Sequence, residues 1–184
     1  MRLIVGISGA TGIIYGIRLL EALRELQVET HVVLSRWAIE NLALETEYSL
    51  ADILRLTDYY YENTQLGATI ASGSFKTNGM VVVPCSMKSL AAMAVGYSDS
   101  LLHRAADVII KEKRKLILVP RETPLSPIHL ENMLKLANTG AVIMPPMPAF
   151  YHKPASIADI VDQHVGRILD QFGLENQLVK RWNG

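Results

Sequence analysis

The sequence has 184 residues, which is enough for one domain with a substantial apolar core. Apolar residues make up 49% of the chain and charged residues 20%, and the mean hydropathy is +0.20. The 18 basic and 18 acidic residues cancel, which argues against nucleic acid as a partner and means that any anion must be bound locally. The single cysteine, Cys85, excludes an internal disulfide and a multi-cysteine metal site.

Neither a leader nor a membrane span is expected. The N-terminus lacks a basic segment followed by a long apolar run and a small-residue cleavage site. The apolar stretches are shorter than the roughly 18 residues that suggest a membrane span. We therefore expect a soluble, cytoplasmic protein.

The first half of the chain alternates apolar strands with helices. A buried strand is predicted over Arg2–Ser8, and the glycine-rich turn "GISGATG" then leads into "TGIIYGIRLLEALRELQ", whose apolar residues recur at helix spacing. "ETHVVLS" predicts a second strand, and "SRWAIENLALET" a helix. A third strand is predicted over Met80–Ser86, followed by a helix that runs to Val95.

The second half continues the same alternation. "LLHRAADVIIKEKR" predicts a helix, Lys115–Pro120 a fourth strand and "IHLENMLKLANTG" another helix; "AVIMP" then predicts a fifth strand and "SIADIVDQHVGRILDQFG" a final helix. Continuous apolar strands between helices are typical of a parallel sheet with helices on both faces. We therefore predict one α/β domain over residues 1–184, with a Rossmann- or flavodoxin-like sheet.

Two segments do not fit the alternation and are predicted to be long loops. Thr57–Gly79 is polar and contains several glycines, whereas Pro145–Ser156 contains four prolines and two aromatic residues. Long irregular loops in a compact domain are usually functional or disordered. The stiffness of the proline-rich loop favours a functional role.

In an open parallel sheet, ligands bind beyond the carboxyl ends of the strands. The side chains expected there are rich in hydroxyl groups, and backbone amides at helix N-termini accompany them. This set suits a mononucleotide phosphate joined to a flat polar ring. Its members are Ser8, Gly9, Ala10, Thr11, Ser35, Cys85, Ser86, Met87, Lys88, Ser89, Arg121, Glu122, Phe150, Tyr151 and His152.

Simpler roles remain open for several of these residues. The glycine turn can serve only for tight strand-to-helix packing, Ser35 and Ser86 can be helix caps, and Cys85 fits a small buried residue. Metal binding is not predicted, because the histidines lack the spacing of metal ligands. The five histidines are His31, His103, His129, His152 and His164.

With these residues in place, the sequence resembles the UbiX-type flavin prenyltransferases of the homo-oligomeric flavin-containing Cys decarboxylase superfamily. "GISGATG" is similar to the opening turn of that family, and "PCSMKSLAAMAVG" is similar to its flavin loop. The segment from "RAADV" at Arg104 to "FYHKP" at Pro154 is similar to the long signature of the family, and "VGRILDQFG" to its last helix. The resemblance covers nearly the whole chain.

The resemblance implies transfer of a dimethylallyl group to reduced FMN, with a fourth ring closed across flavin N5 and C6. The implied donor is dimethylallyl phosphate, although some relatives take the diphosphate. The product, prenylated FMN, would serve a UbiD-type aromatic acid decarboxylase as partner. A homo-oligomer, expected to be a dodecamer, is implied as well. The sequence has no D-D-x-x-D pair for a magnesium-bound diphosphate, so cationic side chains rather than a metal would take the leaving charge.

The resemblance also implies roles for individual residues. For FMN binding these are Gly9, Ala10, Thr11, Ser35, Ser86, Met87, Lys88, Ser89 and Arg121. For the donor phosphate they are Lys111, Arg121, Tyr151 and Arg167, with Arg167 reaching the site of a neighbouring subunit. Glu45 would accept the proton lost from N5, Glu122 would handle protons at the phosphate or the flavin edge, and Lys111 and Tyr151 would assist catalysis.

The sequence departs from the family pattern at Thr11, where most relatives have serine. Two alternative functions remain. The first, FMN-dependent decarboxylation of a cysteine-type substrate, would need a histidine in the "SRWAIENL" region and an asparagine in "PPMPAF", and both are missing. The second, a non-catalytic FMN carrier, would not need Lys111, Glu122, Tyr151 and Arg167 together.

Overall fold

The computed structural model describes residues 1–182, which form a six-stranded, all-parallel sheet and seven α-helices. The strands are β1 (Arg2–Ile7), β2 (Glu29–Leu34), β3 (Tyr59–Glu62), β4 (Gly79–Cys85), β5 (Lys115–Pro120) and β6 (Val142–Ile143). The helices are α1 (Ile13–Glu25), α2 (Arg36–Glu45), α3 (Leu50–Leu56), α4 (Met87–Val95), α5 (Leu101–Lys111), α6 (Pro127–Asn138) and α7 (Ile157–Gln171).

The strand order places a ligand crevice in the middle of the sheet. The order is β3-β2-β1-β4-β5-β6, so the chain builds outward on one side from β1 and on the other side from β4. The direction of winding therefore reverses between β1 and β4, which pair in parallel from Leu3 and Gly79 onward. In open α/β sheets, such a switch point opens a crevice at the carboxyl ends of the strands.

Each face of the sheet has its own apolar core. In β1, the side chains of Leu3, Val5 and Ile7 pack on the face covered by α1, α2, α3 and α7. Ile4 points to the other face, which α4, α5 and α6 cover. This alternation follows from the period-2 geometry of a strand, and the predicted α/β fold with helices on both faces is confirmed.

The prediction of a loop over Thr57–Gly79 was wrong at its start. The segment contains β3 and a short 3-10 helix at Thr69–Ala71, and α3 precedes it. Strand β3 lies at the edge of the sheet and is only half buried, so it lacks the continuous apolar run that marks the central strands. Tyr60 and Tyr61 pack against opposite cores, so three consecutive tyrosines give no alternating signal.

The fifth predicted strand, "AVIMP", is shorter in the structure and is β6. Only Val142 and Ile143 pair with β5, and the Met144 amide adds one further bond to the Leu118 carbonyl at 2.8 Å. Pro145 and Pro146 then end the pairing, because proline has no N–H to donate. The loop from Pro145 to Ser156 has neither helix nor strand, as predicted.

Helix α7 follows this loop, and a capping box between Ser156 and Asp159 fixes its start. The helix packs along α1 and returns to the opposite edge of the sheet. There Lys115, the first residue of β5, donates to the carbonyl of Gln171, the last residue of α7. No helix within residues 1–182 combines the length and the apolar character that a membrane crossing requires.

Candidate active site

The turn after β1 is fixed to β4 by one buried hydroxyl group. Ser8 Oγ donates to the Pro84 carbonyl at 3.0 Å and accepts the Ser86 amide at 2.7 Å. The Ser8 amide also donates to the Pro84 carbonyl, at 3.2 Å. Ser8 is fully buried, so these bonds hold the two strand ends together where the crevice opens.

Glycines shape the rest of this turn. Gly12 has φ +98°, in the left-handed region where a side chain would be strained. A Cβ at Gly9 would collide with the Cβ of Trp37 at the start of α2. The turn therefore lies flat against the start of α2, and its surface is left open on two sides.

On one side lies the serine cleft, a cavity of about 300 Å³. It is lined by Gly9, Ser35, Trp37, Ser86, Lys88 and Ser89, together with residues from the start of α5. Ser35 accepts the Ala38 amide at 3.1 Å and Ser86 accepts the Ser89 amide at 3.2 Å, so both serines are helix caps. Their two helices point positive N-terminal ends at one cavity, which suits a phosphate group.

On the other side lies the arginine cleft, a cavity of about 380 Å³. It is lined by Thr11, Tyr15, Arg121, Glu122, Pro145 and Met147. The Arg121 amide donates to the Cys85 carbonyl at 3.1 Å, which continues the β4–β5 pairing to the edge of the cleft. Arg121 and Glu122 are exposed, so a cation and a carboxylate stand side by side at the mouth of this cavity.

Glu45 lies at the end of α2 and contacts the start of α1. Its carboxylate accepts the amides of Gly12 and Ile13, at 2.8 and 3.1 Å. The carboxylate thus caps α1 one residue from Thr11 and stabilises the positive end of that helix. This position brings the predicted proton acceptor to the turn that both clefts share.

Tyr151 lies in the proline-rich loop and is held by α7. Its hydroxyl oxygen accepts a hydrogen bond from Gln163 Nε2 at 2.7 Å, and Gln163 is buried. Because that oxygen is already an acceptor, its own O–H proton is free to donate to a ligand. The ring of Tyr151 packs edge-on against His152 and Trp182.

One protomer does not bring Lys111 and Arg167 to these clefts. Lys111 ends α5, four residues before β5 begins, and is paired with Glu112. Arg167 lies one turn before the end of α7 and is paired with Asp170 at 2.8 Å. Both therefore lie toward the amino ends of the strands, and a six-residue strand separates the two edges by about 17–20 Å.

Other features of the chain do not belong to this site. Burial raises the pKa of the Cys85 thiol, and Cys85 is fully buried, so it is a core residue rather than a nucleophile. A larger cavity of about 470 Å³ lies at the opposite, amino-terminal edge, between Glu29 and Asp58. Within residues 1–182, no group of three His, Cys, Asp or Glu residues is placed to hold a metal ion.

The structure also brings in residues that sequence reasoning missed. Asp99 and His103 line the serine cleft, and His103 contacts Ser89. Asp99 lies two residues before the first residue of α5 and His103 lies in the first turn of that helix, a spacing of four residues that the sequence does show. The contact with Ser89 depends on how α4 and α5 pack, and no sequence spacing reveals it.

Comparison with known proteins identifies the chain as a member of the flavoprotein family, whose model matches residues 1–169. Flavin prenyltransferase LpdB of Lactiplantibacillus plantarum is 55% identical over 184 residues, which cover all of this chain and 98% of that protein. The chain therefore belongs, within this family, to the UbiX-like flavin prenyltransferases, as the sequence resemblance predicted.

Two solved structures are similar over the full chain. The dodecameric FMN-dependent UbiX-like decarboxylase from Escherichia coli O157:H7 has a TM-score of 0.98 and 56% identity, with 100% of both chains covered. AnUbiX (PadA1), in complex with FMN and dimethylallyl pyrophosphate, has a TM-score of 0.98 and 52% identity, with 100% of this chain and 97% of that chain covered.

Tyr15 lines the arginine cleft, and its contact with a buried histidine leads to a prediction about stability. His164 on α7 packs edge-on against Tyr15, with ring centroids 5.3 Å apart, and burial lowers its pKa from 6.5 to about 4. The unfolded chain therefore binds a proton between these two pH values that the folded chain does not. The free energy of unfolding should fall as the pH falls through this window, by up to about 3 kcal/mol from this residue.

The substitution His164→Leu should remove that contribution. Urea unfolding at fixed protein concentration, from pH 7 to pH 4, measures the free energy in both proteins. Carboxylates titrate in the same range, but they do so in both proteins, so the difference between the two curves reports His164 alone. Parallel curves would contradict the assignment.

Proposed function

We propose that this protein transfers a dimethylallyl group from dimethylallyl phosphate to reduced FMN and so makes prenylated FMN. The observation that carries the proposal is the pair of clefts that meet at the turn over Gly9–Gly12. The serine cleft fits the phosphate end of FMN, and the arginine cleft fits the reacting end and the donor. The names of the relatives and the ligands bound to AnUbiX support the same activity.

The residues of the serine cleft fit the phosphate of FMN. Hydrogen-bond donors and positive charge meet in one small volume. They come from the two serine caps, the first amides of α2 and α4, and the cation Lys88. The flat turn at Gly9 leaves room for a ring to lie across it. When bound, reduced FMN supplies an electron-rich ring whose N5 and C6 atoms accept the prenyl carbon atoms.

At the reacting end, the chain must stabilise charge and move protons. Alkylation of N5 releases one proton, and formation of the bond to C6 takes up a proton at the prenyl double bond and releases the proton on C6. The allylic C–O bond of the donor breaks and its electron pair leaves with the phosphate, so negative charge develops there. Arg121 lines the arginine cleft and offers a planar guanidinium that matches phosphate oxygens. Tyr151 is not part of the lining of that cleft and would bring its free O–H to the phosphate from the proline-rich loop. Glu45 accepts the proton released from N5, and Glu122 returns a proton at the phosphate or at the flavin edge.

Lys111 and Arg167 complete the phosphate site from neighbouring subunits. They lie at the other edge of their own protomer, so they can serve only the site of another copy. The dodecameric assembly of the similar structure from Escherichia coli O157:H7 supports an oligomer of this kind. An enclosed site between subunits would also keep water away from the allylic cation.

The product would be used by a UbiD-type decarboxylase, and both proteins would act in the cytoplasm. The test of the activity itself is anaerobic incubation with reduced FMN and dimethylallyl phosphate, and with the diphosphate in a parallel sample. Mass spectrometry of the extracted flavin should show the gain of one C5H8 unit with the monophosphate. A flavin carrier or a cysteine-type decarboxylase would return FMN of unchanged mass.

Thr11 makes a second prediction for this site. Its side chain lines the arginine cleft one residue from the Glu45 carboxylate, and its hydroxyl would bond flavin N5 or O4. Thr11→Ser keeps the hydroxyl group and should leave turnover nearly intact. Thr11→Ala should lower kcat/KM about tenfold, the effect of one lost hydrogen bond. Equal activity of Thr11→Ala and the wild type would remove this role.

A mixing experiment tests whether Lys111 acts between subunits. Lys111→Ala and Arg121→Ala should each lower turnover about 100-fold, because each removes charge from the leaving phosphate. Co-expression in equal amounts should restore about a quarter of the sites, those with Arg121 from one chain and Lys111 from its neighbour. Co-expression of Lys111→Ala with a chain that carries both substitutions is the control and should restore none. Mixed assemblies as inactive as this control would contradict the proposal.

A further inference from the structure

Four side chains form a hydrogen-bonded chain that ends inside the serine cleft. Asp99 Oδ1 lies 3.2 Å from His103 Nδ1, and His103 Nε2 lies 3.2 Å from Ser89 Oγ. Ser89 Oγ in turn accepts from Ser86 Oγ at 3.2 Å. His103 and Ser89 are 7% and 5% exposed, whereas Asp99 is open to solvent. Ser86 and Ser89 were assigned to FMN binding above, whereas Asp99 and His103 have no role in the proposed reaction.

The protons of this chain can be assigned from its ends. The Asp99 carboxylate can only accept, so His103 carries its proton on Nδ1 when the ring is neutral. Nε2 is then an acceptor, and the Ser89 hydroxyl must donate to it. In the imidazolium form, Nε2 carries a proton and donates to Ser89 Oγ instead. The Ser89 hydroxyl group is then free to donate its own hydrogen bond into the cleft.

Protonation of His103 therefore changes what the cleft offers to an anion. It adds one hydroxyl donor and one positive charge beside the first turn of α4. The other charged side chains that line this cleft, within residues 1–182, are Arg36 of α2, Lys88 of α4 and Asp99. Arg36 and Lys88 carry the same charge as an imidazolium ring, whereas Asp99 and a bound phosphate carry the opposite charge.

We propose that His103 is a positioning residue for the phosphate of FMN, and that protonation of its ring and binding of that phosphate favour each other. His103 does not touch the phosphate and acts through Ser89. The proposal rests on the proposed function, because it places the phosphate of FMN in the serine cleft. It adds a pH-dependent preference for FMN over riboflavin, which has the same ring but no phosphate.

The test compares the two flavins on the assembled protein. Quenching of flavin fluorescence gives the Kd of oxidised FMN and of riboflavin from about pH 5.5 to pH 8, where an imidazole changes charge. The phosphate of FMN itself becomes protonated toward low pH, and this affects the Kd in every variant. His103→Gln keeps a donor to Ser89 but cannot titrate, so the difference between wild type and His103→Gln isolates the ring.

We expect the ratio of the wild-type FMN preference to that of His103→Gln to rise about tenfold from the alkaline to the acidic end, because only the wild-type ring gains a charge and frees the Ser89 hydroxyl over this range. Asp99→Asn should reduce the acidic gain, because it removes the charge that favours the imidazolium form. Glu131→Gln makes the same change of charge on an exposed position of α6 and should leave the preference as in the wild type.

Three results would overturn the proposal. The first is an identical pH dependence of the FMN preference in wild type and His103→Gln. The second is an equal loss of FMN and riboflavin affinity, which would mean that His103 only supports the fold; circular dichroism and assembly size check that fold directly. The third is the lack of any FMN preference in the wild type, which would also reject the placement of the FMN phosphate, whereas the first two leave it intact.

Discussion

The site depends on one buried hydroxyl group at the point where the winding of the sheet reverses. Ser8 Oγ donates a hydrogen bond to the Pro84 carbonyl and accepts one from the Ser86 amide, so one atom joins the ends of β1 and β4. A serine is needed here because the two partners are an acceptor and a donor, and a hydroxyl can satisfy both. Without it, the Ser86 amide would lose its partner, which costs about 1–3 kcal/mol, and the Pro84 carbonyl would keep only the Ser8 amide.

This link explains why two clefts of different character share one turn. Ser86 begins α4, so fixing its amide also fixes the axis of α4 and the serine cap that faces the cavity. The same turn receives the Glu45 carboxylate on its other side, at the first amides of α1. Donors and helix N-termini therefore collect on one side, and a carboxylate, an arginine and a second acidic residue collect on the other.

The sequence predicts the centre of this molecule better than its edges. The central strands are buried on both faces, so their apolar runs are unbroken and their carboxyl ends mark the site. Strand β3 is half exposed and β6 is two residues long, so their pairing is set by neighbours rather than by local pattern. The hydroxyl groups of the site follow strands and were found from sequence order. His103 was missed as a site residue because its partner Ser89 lies on another helix.

The even balance of charge also shapes how the donor phosphate can be bound. In the protomer, Lys111 is paired with Glu112, and Arg167 shares Asp170 with Arg181. The cationic side chains of these pairs are about half exposed, and exposed pairs contribute only about 0–1 kcal/mol. In the proposed site between subunits, the donor phosphate would carry more charge in a less polar setting and would draw both cations from their partners at small cost. Assembly would then add Lys111 and Arg167 to the single cation, Arg121, that the protomer itself places at the arginine cleft.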